Sequence, residues 1–147
     1  LRAAAARIGS DVRARFEVGA VTSGATYLQA RRARVAVRNS IAAIYREHRL
    51  DAIVAPTLPA TAPRADRLLV DYPDGTVDSI GAGLTRFTMP WNATGQPVIS
   101  VPCGFDESYM PVGLSFVGQP DDELALCEIA QVYERVAGWH LRRAALV

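Results

Sequence analysis

The sequence predicts an α/β fold in which helices flank a mixed β-sheet. Stretches with apolar residues at helical spacing lie towards both ends of the chain, and three short apolar runs lie between them. Helical spacing indicates amphipathic helices, whereas short apolar runs bounded by glycine and proline indicate buried strands. The order helix, strand, loop, strand, strand, helix is typical of the α/β class.

The N-terminal part of the chain predicts two helices. Residues 1–20 are rich in alanine and arginine and are expected to form a short helix that ends near Gly19. Thr22 or Ser23 can cap the next helix, because a hydroxyl accepts a hydrogen bond from the unpaired amides of a first turn. Over residues 23–49 we predict one long helix with a basic outer face. Its apolar side consists of Tyr27, Leu28, Val35, Ile41, Ile44 and Tyr45.

The centre of the chain predicts three strands. Residues 51–57 contain a short apolar run that Pro56 ends, and residues 97–105 and 111–118 are two further runs. The short linker between the last two runs predicts a hairpin or an adjacent strand pair. Residues 58–83 are rich in proline and glycine and are predicted to be irregular, either as a functional loop or as a variable surface loop.

The C-terminal part predicts one more helix and a rigid turn before the second strand. Asp121 or Asp122 is expected to begin the helix, because acidic side chains favour its positive end, and Gly138 is expected to end it. The stretch 85–105 contains many turn residues, among them Gly95, which can adopt a positive φ. Spacing alone favours a structural turn there over a ligand site.

Composition limits the classes of function. The formal net charge is +1 and half of the 147 residues are hydrophobic, so no global charge favours a nucleic-acid partner. No apolar run reaches the roughly 20 residues that a membrane span needs. Cys103 and Cys127 have no metal-type spacing. We therefore expect a reduced, cytoplasmic protein without metal, organic cofactor, nucleic-acid partner or membrane partner.

Few side chains indicate catalysis by themselves. His48 and His140 are the two histidines, and neither lies in an acid–base or metal motif. Both are interpreted as helix-end or surface residues. Cys103 precedes Gly104 at a strand end, where a nucleophile can be exposed, but a small buried residue is the favoured interpretation.

Five blocks, in order and spanning about residues 17–140, resemble the amidase-signature family. The first is Tyr27–Arg34 (Y-x-x-A-x-x-x-R), and the second is the strand Asp51–Thr57 (DAIVAPT). Thr88–Gly104 resembles the family's T-x-P-x-N-x-x-G-x-P-x-x-S-V-P-x-G block, and Pro111–Gly118 resembles its PxGLQxxG strand, with serine where glutamine is common. Asp122–Glu134 resembles its last helix.

The resemblance implies an enzyme that hydrolyses amides through an acyl-enzyme. In that family a serine is the nucleophile, and a second serine and a lysine activate it. Residues 1–147 would then be the C-terminal part of a single amidase domain, without its catalytic segment. All 16 cationic residues are arginine, and we therefore expect no catalytic residue in this chain and no activity from it alone.

The resemblance also implies a substrate-binding arginine on the long helix, as in glutamine-using relatives. The matching residue is Arg34 when the helix is aligned at Tyr27, and Arg38 when it is aligned at Asp51. A solvent-facing arginine is the alternative for either position.

Two further substrate-binding residues follow from the resemblance. Glutamine-using relatives carry an aspartate before the T-x-P-x-N block, which holds the ammonium group of the substrate. Here that position is Thr85, with Arg86 beside it, which favours a general amidase for a less cationic amide. Trp91 is expected either to line the acyl pocket or to be part of the core.

Three other functions stay open at this point. One is the catalytic subunit of a tRNA-dependent amidotransferase, the second is a degenerate amidase domain used for binding or assembly, and the third is a cysteine enzyme that uses Cys103. The expected partner is a small-molecule amide. Self-association, for example as a homodimer, is also expected, because strands cut from a larger sheet expose an edge.

Overall fold

The computed structural model of the protein describes residues 7–142, and the boundary between two compact units falls between Val37 and Arg38. The first unit contains helix α1 (Ser10–Val21) and the beginning of helix α2 (Gly24–His48). The Ser23 hydroxyl accepts a hydrogen bond from the Thr26 amide at 3.1 Å and caps α2, as predicted. The helix predicted for residues 1–20 is confirmed from Ser10 onwards, whereas residues 7–9 precede the helix and residues 1–6 lie outside the described range.

The second unit contains the strands β1 (Ile53–Pro56), β4 (Val98–Phe105) and β5 (Pro111–Val117). They form a three-stranded sheet in the order β1-β5-β4. The predicted α/β class and all three strands are confirmed. Where the sequence predicted a mixed sheet, both strand pairs in this part of the described chain are antiparallel. The reason is that the chain turns directly back from β4 into β5. Strand β1 lies on the other side of β5 and runs in the same direction as β4, so it is also antiparallel to β5.

The core of the second unit lies between this sheet and helix α5 (Glu123–Ala137). Val101 and Phe116 from the strands pack with Leu126 and Ala130 from the helix. Asp122 occupies the predicted N-cap position without a side-chain capping bond, and Gly138 ends the helix with φ 67°. Residues at the i and i+4 positions of α5 thus cover one face of the sheet.

The end of α2 is attached to the sheet by a buried tyrosine. Tyr45 is 2% exposed, and its hydroxyl donates a hydrogen bond to the carbonyl oxygen of Val117 at 2.5 Å. Burial raises the pKa of the Tyr45 phenol. Arg49 then adopts φ 50° and ends the helix. No helix within residues 7–142 is long and apolar enough to cross a bilayer.

The prediction that residues 58–83 are irregular is wrong for the second half of this segment. Strands β2 (Leu69–Asp71) and β3 (Val77–Ser79) form an antiparallel hairpin, and helix α3 (Ile80–Thr85) follows directly. The turn contains Gly75 at φ 82°. A proline–aspartate–glycine turn between two β-prone segments was the available signal. The hairpin packs against α3. At this contact, a Cβ added to Gly83 of α3 would lie 3.0 Å from the Val70 side chain of β2.

Candidate functional site

Thr85 is the last residue of α3 and is half-buried. The Ser79 hydroxyl begins this helix by accepting a hydrogen bond from the Ala82 amide at 3.4 Å. The Thr85 hydroxyl donates to the carbonyl oxygen of Gly81 at 2.6 Å, which uses its one proton. Its oxygen can still accept a hydrogen bond from a ligand, but it carries no charge that would hold a cation.

Trp91 lies on helix α4 (Met89–Thr94) and is half-buried. Pro90 stands in the first turn, where a missing N–H costs no hydrogen bond. Gly95 ends the helix at φ 82°, and its amide donates to the Trp91 carbonyl oxygen at 2.8 Å. The turn predicted in this stretch is therefore a short helix with a left-handed cap, and the positive φ predicted for Gly95 is confirmed.

Three residues connect α3 with α4, so Thr85 and Trp91 lie on one tightly folded stretch. The Thr88 amide donates to the Thr85 carbonyl oxygen at 3.2 Å, and the Asn92 amide donates to the Thr88 carbonyl oxygen at 3.2 Å. Thr94, the last residue of α4, is buried, and its hydroxyl donates to the Pro90 carbonyl oxygen at 2.6 Å. Backbone and side-chain hydrogen bonds therefore hold the two predicted substrate-binding positions in a defined local geometry.

Arg86, next to Thr85, is held by the hairpin. Its Nη2 donates to Oδ2 of Asp78 at 2.5 Å, and its guanidinium lies 5.4 Å from the centre of the Tyr72 ring. The Tyr72 hydroxyl donates to the same Asp78 oxygen at 3.1 Å. Burial and the hydrogen bond to Asp78 raise the pKa of Tyr72. The cation beside Thr85 is thus paired with a carboxylate and stacked on a ring.

Arg34 and Arg38 both lie on α2 and are exposed. Arg34 belongs to the first unit and Arg38 to the second. Substrate binding by either arginine stays a prediction.

Three hydroxyl groups meet on one face of the sheet, which sequence reasoning missed. Thr57 Oγ1 lies 2.8 Å from Ser115 Oγ and 3.2 Å from Ser100 Oγ, and the two serine oxygens are 3.0 Å apart. The register that pairs Ser100 with Ser115 brings them together. A single serine in each of two neighbouring apolar strands was the available signal, because cross-strand partners share a face.

This hydroxyl triangle links the three strands but lacks the parts of a nucleophilic site. Each hydroxyl has two hydroxyl partners, and within the described residues no hydrogen bond joins any of them to a histidine or a carboxylate. A serine without a base is a weak nucleophile. Packing at Gly113 keeps the triangle in place, since a Cβ there would be 2.8 Å from Thr57 Oγ1. Within the described residues the triangle therefore acts as a contact between neighbouring strands.

A groove of about 450 Å³ runs beside the triangle, between residues 57–62 and residues 111–113. One wall is tied to the β4–β5 turn, because the Thr61 hydroxyl donates to Asp106 Oδ2 at 2.6 Å. The other Asp106 oxygen accepts from two backbone amides of that turn, each at 2.8 Å. The hydrogen bond from Thr61, followed by that from the Met110 amide, lowers the pKa of Asp106.

The remaining candidates show no catalytic arrangement. The Cys103 thiol is half-buried and donates to the Val112 carbonyl oxygen at 3.5 Å. His48 is exposed in the last turn of α2, where a helix-end histidine was predicted, and His140 lies in a short 3₁₀ turn (Trp139–Leu141). Among residues 7–142 no group of three or more histidine, cysteine or acidic side chains could hold a metal ion.

Comparison with known proteins places this chain among amidases. The family model described as Amidase matches residues 2–127. An amidase of Pseudomonas putida is 36% identical over 138 residues, which are 94% of this chain and 29% of that protein. A glutamyl-tRNA(Gln) amidotransferase subunit of a Synechococcus strain is 35% identical over 151 residues, covering 99% of this chain and 30% of the relative. The chain thus spans about 30% of the length of these relatives.

Solved structures show the same fold. A chain from an inhibitor-bound vestigial protein complex, described in work on the evolutionary origins of an s-triazine catabolic enzyme, superimposes with a TM-score of 0.82 at 27% identity. The match covers 95% of this chain and 30% of that one. A crystal structure of an amidase has a TM-score of 0.81 at 24% identity and supports the fold alone. Since the family model matches most of the chain, this chain belongs to the amidase family.

Proposed function

We propose that this chain is the C-terminal part of an amidase that hydrolyses carboxamide C–N bonds through a serine acyl-enzyme, and that it supplies substrate recognition and not the nucleophile. The observation that carries the proposal is a family match over residues 2–127 in a chain without a single lysine. A serine needs a base to attack an amide, and arginine stays protonated in proteins. The nucleophile and its base would therefore lie outside these 147 residues.

Substrate recognition is assigned to the stretch that holds Thr85 and Trp91. Thr85 offers an uncharged acceptor oxygen, and the half-buried indole of Trp91 offers an apolar surface for an acyl group. Arg34, or Arg38 in its place, would bind a polar group of the substrate. The uncharged side chain of Thr85 favours an amide without a positive charge.

The activity test uses the longest natural polypeptide that contains this chain, found by reading the gene upstream of the Leu1 codon. The proposal expects this polypeptide to release ammonia from simple carboxamides, and an acyl-enzyme to be trapped by hydroxylamine. The 147-residue chain alone is expected to be inactive. Amide turnover that follows the concentration of the pure chain would refute the assignment of the nucleophile to another segment.

Thr85→Asp tests the recognition site, with Thr85→Asn as the control of equal size and no charge. Because an aspartate would place a negative charge where Thr85 has none, kcat/KM for a cationic amide should rise by about tenfold relative to a neutral amide. Thr85→Asn should leave this ratio unchanged. Equal ratios in both variants would contradict a substrate contact at Thr85.

The catalytic subunit of a tRNA-dependent amidotransferase is the second candidate, because a glutamyl-tRNA(Gln) amidotransferase relative is 35% identical to this chain. Glutaminase activity that depends on partner proteins would establish it. A natural polypeptide that hydrolyses no amide would instead favour a degenerate domain used for binding or assembly. Loss of activity in Cys103→Ala but not in Cys127→Ala would favour a cysteine enzyme.

A cytoplasmic location and a homodimer complete the proposal. Cys103 and Cys127 are both free thiols, as a reducing compartment keeps them. Among the described residues β1 and β4 each pair on one side only, and unpaired strand edges favour association. The mass of the 147-residue chain in solution, measured by light scattering, tests the dimer.

A further inference from the structure

The charge of Arg86 is compensated within the protein, although this arginine directly follows the proposed recognition residue Thr85. Its Nη2 lies 2.5 Å from the Asp78 carboxylate, and the side chains of Arg86 and Asp78 are 55% and 27% exposed. Tyr72 supports both partners, with its ring under the guanidinium and its hydroxyl on the carboxylate. The pair is therefore held by three contacts and not by one surface ion pair.

The ion pair between Arg86 and Asp78 changes the electrostatic potential that a substrate near Thr85 would experience. An isolated charge acts over about 8–10 Å at ordinary ionic strength, which is further than the distance between neighbouring residues. A pair of opposite charges 2.5 Å apart acts as a dipole, and its field falls off faster with distance. Asp74, a second carboxylate, lies at the exposed tip of the same hairpin. The surroundings of Arg86 therefore hold no excess of positive charge.

We propose that Asp78 is a specificity-determining residue, which masks Arg86 so that this arginine does not attract anionic substrates to the Thr85 region and the enzyme selects uncharged carboxamides. This inference rests on the proposed amidase function and names its substrate class. Asp78 and Arg86 act through the electrostatic potential at the recognition site, and neither is a catalytic residue. The hairpin β2–β3 serves to bring Asp78 to Arg86.

The experiment compares three amides of equal length in the longest natural polypeptide: butyramide (neutral), succinamate (anionic) and β-alaninamide (cationic). The wild-type protein is expected to prefer butyramide. Asp78→Asn keeps an acceptor for Tyr72 but exposes the charge of Arg86, so kcat/KM for succinamate relative to butyramide should rise by about three- to thirtyfold. Arg86→Met exposes Asp78 and should raise the ratio for β-alaninamide to a similar extent.

The double variant Asp78→Asn/Arg86→Met removes both charges and should restore the wild-type ratios. Asp78→Glu keeps the charge and should also keep them. The matched control is Asp66→Asn, which breaks an exposed ion pair with Arg64 (2.7 Å) away from this cluster. It should leave all three ratios unchanged.

Each outcome is decisive. Equal changes for all three amides in the two single variants would show that the pair is only structural and would overturn the proposal. A wild-type preference for succinamate or β-alaninamide would also overturn it while leaving the amidase function intact. No hydrolysis of any amide would instead refute the proposed function itself.

A salt series on the wild-type protein and on Asp78→Asn gives a second measurement. If Asp78 masks Arg86, the succinamate to β-alaninamide ratio should depend less on salt in the wild-type protein than in the variant between about 0.02 and 0.5 M salt. An equal salt dependence in the two proteins would overturn the proposal.

Discussion

Leu126→Ala is expected to destabilise the second unit strongly, because its side chain is the centre of the core between α5 and the sheet. Leu126 is 2% exposed and packs with Val101, Phe116 and Ala130. Large-to-small changes of this kind cost about 2–5 kcal/mol, depending on how far the surroundings collapse into the cavity. The surroundings can move only partly into the cavity, because the backbone of Gly118 lies against Leu126. A Cβ added to Gly118 would be 3.1 Å from the leucine side chain.

We therefore expect a cost in the upper part of that range, about 3–5 kcal/mol. For a protein of this size the melting temperature would fall by roughly 8–16 °C. Urea denaturation followed by tryptophan fluorescence measures the free energy of unfolding. Leu124→Ala is the matched control on the same helix, because Leu124 is 75% exposed and should cost less than about 0.5 kcal/mol. Equal costs for the two variants would refute this account of the core.

A second substitution tests the geometry itself. Gly118→Ala alone should destabilise the protein, since its methyl group would crowd Leu126 at 3.1 Å. In the Leu126→Ala background the same methyl group would occupy vacated space, so Gly118→Ala should become neutral or stabilising. A double-mutant cycle measures this coupling, which we expect to be about 1–2 kcal/mol. Additive costs would show that the two residues do not share a cavity.

Three further predictions follow from single contacts. Tyr45→Phe should cost about 0.5–1.5 kcal/mol, because it removes a hydrogen bond to a buried carbonyl oxygen of β5. Since burial raises the pKa of Tyr45, the wild-type protein should also lose stability above about pH 10, and the variant should lose less of it. The wild-type protein should lose stability as the pH falls below about 4 and Asp106 takes up a proton, because the folded-state pKa of Asp106 is lowered. Asp106→Asn should not show this loss. Gly113→Ala should cost about 1–3 kcal/mol, since its Cβ would displace Thr57 from the hydroxyl triangle. Urea denaturation at several pH values measures all three.

Each of these predictions has a control in the same chain. Tyr27→Phe on α2 removes an exposed hydroxyl and should cost nothing measurable, Glu107→Gln changes an exposed neighbour of Asp106, and Gly19→Ala adds a methyl group that meets nothing within 4 Å. Gly19→Ala should even stabilise α1 by up to about 1 kcal/mol. A control that behaves like its partner variant would contradict the contact concerned.

Local sequence was sufficient for most of the secondary structure. Apolar runs ended by proline or glycine predicted β1, β4 and β5, and helical spacing with caps predicted α2 and α5. Such signals act over a few residues, so they need no tertiary context. The hairpin β2–β3 was missed because its strands have only three residues each, and α4 was predicted as a turn because proline and glycine mark both the ends of short helices and loops.

The sequence by itself determined the family resemblance, the α/β class and the absence of lysine, because these depend on residue identity and order. Only the tertiary structure showed that Thr57, Ser100 and Ser115 share their hydroxyl contacts, and that Asp78 neutralises Arg86. The three hydroxyl groups lie on or next to different strands, and Asp78 lies on a strand whereas Arg86 follows a helix. Strand register and helix packing decide which of these side chains meet. Short-range patterns carry no information on such distances, so the pairing of Arg86 with Asp78 is a property of the fold.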